Sequence, residues 1–119
     1  MASGGLGMVQ AFKHERASQW DGQKHTYTAW AHEMAVYLKL CGLWHTMCGV
    51  DRAAKDSTAT GIAAEYEMRS MLTFRILYRA VLETKDEGAA LKMMIRDEFG
   101  DDSDGFELGQ YLKDGRHQQ

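Results

Sequence analysis

The sequence predicts an all-α protein, a compact bundle of about five helices with an extended N-terminal arm. Three observations point there. The 119 residues include no proline and no asparagine, two residue types that commonly end helices or build turns. Ala, Leu, Met, Glu, Lys and Arg, the stronger helix formers, are abundant. Apolar residues recur at spacings of three and four, the repeat of one helix face. With 45% hydrophobic and 26% charged residues, the composition is that of one globular domain able to build a core without staples.

Residues 1–19 read as the arm, Gly- and Ser-rich at first and then extended, with Val9 and Phe12 as apolar side chains. Asp21-Gly22 predicts a turn. The helical domain occupies 20–115, and residues 116–119 form a short tail. A first helix over 26–41 carries Tyr27, Trp30, Ala31, Met34, Tyr37, Leu38 and Cys41 on one stripe, and Gly42 is placed to stop it. Leu43, Trp44, Met47 and Val50 predict a short second helix or turn, interrupted by Gly49. The polar run 51–58 reads as a loop.

A long helix follows over 59–84. Between Met71 and Leu82 it is apolar on nearly every side, which predicts a central, buried element. Glu65 and Arg69 stand four apart and predict an ion pair along the helix. The next helix covers 86–98, with Asp86 and Glu87 in its first turn, where the macrodipole favours acids. Leu91, Met94 and Ile95 make its inner face. The last helix starts at Asp104, with Glu107 as capping-box partner, Leu108, Tyr111 and Leu112 inside, and Gly115 as its stop.

Charge and motifs exclude several functions. The net charge is −3, and no dense basic stripe argues for nucleic-acid binding. Two cysteines, Cys41 and Cys48, make no disulfide framework and read as small buried hydrophobes of an intracellular, cytoplasmic protein. No signal peptide and no membrane-length apolar run is visible. His32-Glu33 begins a zincin motif, but Val36 stands where the second histidine belongs. Cys41, His45 and Cys48 match no common zinc spacing. The acids 97–107 do not form a calcium loop, since Gly105 as sixth residue would put Gly100 first and Tyr111 twelfth, and neither brings a carboxylate. No phosphate-binding loop, nucleophile elbow or nucleophile with a base at readable spacing occurs. The expectation is therefore no catalysis, no metal, no cofactor and no small-molecule substrate. An enzyme would need a pocket joining His25, His32 or His45 to a carboxylate.

One constellation is more specific. Trp20-Asp21-Gly22 is followed by Tyr27-x-x-Trp30, Met34, Tyr37-Leu38 and Gly42-Leu43-Trp44. This resembles the N-terminal region of Gag polyproteins of copia-type retrotransposons, closely over 20–44 and in outline to 113. Tyr66, the run 74–82 and Asp104-Gly105-Phe106-Glu107-Leu108 are similar to the later segments, with Gly109 where a tryptophan is often found. The resemblance implies a helical capsid-type domain that self-associates into a shell around the element's RNA. Contact with RNA would be indirect, since no zinc knuckle is present. Candidate surfaces for assembly are Phe12 in the arm, the polar face of the first helix, and the acidic segment 97–107 with Asp101, Asp102 and Asp104. The alternative is a helical module that docks a peptide or helix in an apolar groove, which eight methionines would suit.

Overall fold

The computed structural model describes residues 16–115. Five α-helices form: α1 (Tyr27–Leu40), α2 (Trp44–Cys48), α3 (Ile62–Ala80), α4 (Asp86–Phe99) and α5 (Gly105–Asp114). Short 3-10 turns cover Lys24–Thr26 and Arg52–Asp56. The only β-type pairing among the described residues is an isolated parallel bridge between Trp20 and Val81. The all-helical architecture expected from the sequence is thus what forms. Of the arm, residues 16–19 are described and carry no helix, whereas 1–15, with Phe12, and the tail 116–119 lie outside the described residues.

Helix α1 buries Trp30, Met34 and Leu38 at spacings of four, so its stripe faces the core as expected. Tyr27 and Tyr37 on the flanks of that stripe are only half-buried. Gly42 ends the helix at φ +74°: its N–H donates to Lys39 O at 3.1 Å, and Leu43 N–H donates to Leu38 O at 2.8 Å. That is a Schellman cap, with buried Leu38 and Leu43 as its apolar contact. Gly49 repeats the device after α2 at φ +84°, with Val50 N–H donating to His45 O at 2.9 Å. Cys41 is the C-cap residue of α1, and Cys48 is the last residue of α2, at the rim of an open cleft. Both are exposed, not buried as their spacing suggested.

Helix α3 supplies the spine. Tyr66, Ser70, Thr73, Leu77 and Ala80 face inwards along one line. The helix ends at Ala80, four residues short of the expected boundary. Trp20 N–H donates to Ala80 O and Leu82 N–H donates to Trp20 O, both at 2.8 Å, which draws Val81 into an extended conformation. The expectation of burial around the whole girth fails as well. Met71 and Leu72 stay 46% and 50% exposed, as does Met68 one turn earlier at 67%, because no element covers that face among the described residues.

Helix α5 crosses α3 at close range. A Cβ on Gly105 would stand 2.6 Å from Thr73 Cβ and 2.7 Å from Ser70 O, so only glycine permits the approach. Gly105 N–H donates to Ser70 Oγ at 3.0 Å, satisfying an otherwise buried pair. Helix α4 buries Leu91 and Ile95 and carries Asp86 and Glu87 in its first turn.

Candidate interaction surfaces

The motif residues 20–44 assemble into one interlocked unit. Trp20 stacks on Trp30 with ring centroids 5.1 Å apart, and Tyr27 meets Trp20 edge-on at 5.3 Å. Trp30 Nε1 donates to Ser18 O at 2.7 Å, and Trp20 Nε1 donates to Gln23 O and Thr26 Oγ1, each at 3.0 Å. Asp21 Oδ1 accepts from Thr26 Oγ1 at 2.7 Å and from Gln23 N–H at 3.1 Å, closing the turn that Asp-Gly predicts. Gly22 adopts φ +85° with its Cα against the first turn of α4, where a Cβ would lie 2.9 Å from Gly88 N. Trp44 is half-buried at the end of the unit, with Lys39 Nζ 5.2 Å from its ring.

Those hydrogen bonds, the Thr26 hydroxyl first, hold the Asp21 carboxyl below its ordinary pKa. A depressed folded-state value contributes stability above the unfolded pKa and loses it as pH falls through the folded one. The melting temperature is therefore expected to fall more steeply below about pH 4 in the natural chain than in Asp21→Asn. Thermal melts from neutral to strongly acidic buffer check this, and parallel acid limbs would contradict it.

A second network surrounds the acidic segment and was not visible in the sequence. Arg52, in the stretch expected to be a plain loop, donates to Asp104 at 3.1 Å and to Glu107 at 3.2 Å. Its guanidinium also lies over the Phe106 ring at 4.6 Å. Asp104 caps α5 by accepting Glu107 N–H at 3.0 Å, but the Glu107 carboxylate turns to Arg52 instead of completing the capping box. Asp104 is thus occupied inside the molecule, while Asp101 and Asp102 remain at the surface. Arg69 likewise pairs with Asp51 at 3.1 Å, with Thr46 Oγ1 donating to the same carboxylate oxygen at 2.8 Å, in place of the expected Glu65 pair.

Two apolar surfaces remain open among the described residues. A cleft of about 450 Å³ lies between α1, α2 and α5, lined by Tyr27, Trp30, Met34, Trp44, Cys48 and Lys113 among others. Desolvation lifts the thiols of Cys41 and Cys48 above their ordinary pKa, which makes both weaker nucleophiles. The other surface is the outer face of α3, where Met68, Met71 and Leu72 border a groove together with Arg75 and Arg79. Sequence reasoning missed it by treating apolar girth as depth. The signal was available in Arg75 and Arg79, four apart and therefore on one solvent-facing line.

Among the described residues, no group of three or more His, Cys, Asp and Glu is placed to hold a metal ion. No helix there is long and apolar enough to cross a membrane. The fold defines a small all-helical protein with two exposed apolar surfaces among its described residues. No protein-family model, curated protein or solved structure matches the chain.

Proposed function

We propose that the chain is a Gag-like capsid domain of copia type, a cytoplasmic structural protein that self-associates into a shell and acts through surfaces, without catalysis. The observation that supports this reading best is the unity of the 20–44 constellation. Trp20, Asp21, Tyr27, Trp30, Met34, Leu38 and Leu43 are residues of one packed turn-and-helix unit, not scattered coincidences of composition. Its side chains serve rigidity, which a shell built from repeated weak contacts requires. Gly109, which departs from the family's frequent tryptophan, is buried against Met47 and leaves no room for a large ring. Enclosure of RNA would then follow from assembly, not from a dedicated binding groove.

The test is electron microscopy of the purified chain across protein and salt concentration, with nuclease treatment of any co-purified RNA. Closed or sheet-like particles are expected. Their absence under all conditions would count against the capsid reading.

A second reading is favoured by the cleft between α1, α2 and α5. Its size and apolar walls suit a peptide segment. A non-assembling helical module that docks a partner there is the alternative.

A further inference from the structure

Resting on the capsid reading, we infer that the outer face of α3 is the docking surface for a second copy of this chain, and that the acidic segment 97–102 of that copy is what it receives. Met68, Met71, Leu72, Arg75 and Arg79 lie along one exposed side of a single rigid helix. The three apolar side chains are unusually open for a helix whose opposite side forms the spine of the fold. Neither Arg75 nor Arg79 is ion-paired within the described residues.

The same chain carries the matching charge. Asp97, Glu98, Asp101 and Asp102 are exposed, and none of the four is ion-paired within the described residues. Asp104 is excluded from this set because Arg52 holds it. Asp97 and Glu98 sit in the last turn of α4, where the macrodipole favours cations, so they do not support the helix that bears them. Within one copy the segment ends beside this face, with Ser103 at the rim of the groove, yet none of these carboxylates forms an ion pair with Arg75 or Arg79, and a neighbour's segment can supply that pairing. Every copy then offers both halves of the contact.

A second copy fits this face better than a nucleic acid does. A phosphate backbone would use the two arginines and leave Met68, Met71 and Leu72 in water, whereas a protein surface covers both kinds of side chain. Complementary charge fixes partner and register, and the apolar side chains supply the burial. The contact should weaken with salt, as exposed charge pairs do.

Two variants of the full chain test it. Arg75→Glu/Arg79→Glu disables the α3 face, and Asp97→Asn/Glu98→Gln/Asp101→Asn/Asp102→Asn neutralises the acidic segment. All six positions are exposed, and circular dichroism with thermal melting confirms that each variant folds. In sedimentation velocity, self-association of each variant alone is expected to weaken at least about tenfold. An equal mixture of the two is expected to associate more tightly than either alone, because each supplies the half that the other lacks. If the natural chain associates and both variants associate equally well, this docking surface is wrong while the capsid reading stands. If the natural chain stays monomeric at every concentration, both fall. If a single-stranded RNA oligonucleotide binds the natural chain but not Arg75→Glu/Arg79→Glu, with association unchanged, the face serves nucleic acid and the inference is overturned.

Discussion

Replacing Trp20 with alanine is expected to lower the unfolding free energy by about 3–5 kcal/mol, the usual range for emptying a buried tryptophan site. The residue is 2% exposed, stacks on Trp30, and joins the start of the domain to the end of α3. The backbone bridge to Ala80 and Leu82 can persist in the variant, but the indole that fills the space beside Trp30 and Tyr27 is gone. Its Nε1–H also leaves the Gln23 and Thr26 oxygens without their donor. A domain of this size has about 5–15 kcal/mol of stability in all, so the variant should lose a large share of it and melt at a clearly lower temperature. Trp44→Ala, at a half-buried position, is the control and should lose much less. Urea titrations followed by far-ultraviolet circular dichroism check the pair. Equal midpoints for the two variants would show that Trp20 does not organise the fold.

The second large effect concerns two glycines that look alike in sequence. Gly88 and Gly109 are both buried and both helical. A Cβ on Gly88 would collide with the carbonyl of Leu82, which is backbone and held by the Trp20 bridge. A Cβ on Gly109 would meet only the far end of the flexible Met47 side chain. Gly88→Ala is therefore expected to destabilise by about 1–3 kcal/mol, as overpacking does. Gly109→Ala should be close to neutral, because Met47 can move aside and alanine gains up to about 1 kcal/mol in helix propensity. Thermal melts of the two single variants decide it, and a larger loss at Gly109 than at Gly88 would contradict the packing described.

Much of this fold was legible because it is written locally. The stripe Trp30, Met34 and Leu38, the stops at Gly42 and Gly115, and the acids opening α4 each depend on residues within one or two turns. Other features depend on partners far away in the chain. No proline or glycine stands near Ala80, and α3 ends where Trp20 takes up the backbone groups of Ala80 and Leu82. Arg52 finds Asp104 at a separation of 52 residues, which no window of sequence reveals. The outer face of α3 was misread for a related reason. Periodicity says which residues share a face, but burial depends on whether another element arrives to cover it. The candidate surfaces divide in the same way. Asp101 and Asp102 were legible as exposed acids, whereas the apolar and cationic face that complements them required the arrangement of helices.

On the function proposed above, this chain works by binding copies of itself. Sedimentation equilibrium of the full chain, from micromolar to millimolar and at low and high salt, tests it most directly. A weight-average mass that climbs with concentration well above the 13.4 kDa of one chain, and falls back as salt is raised, is the expected result. A mass that stays at one chain throughout would contradict it.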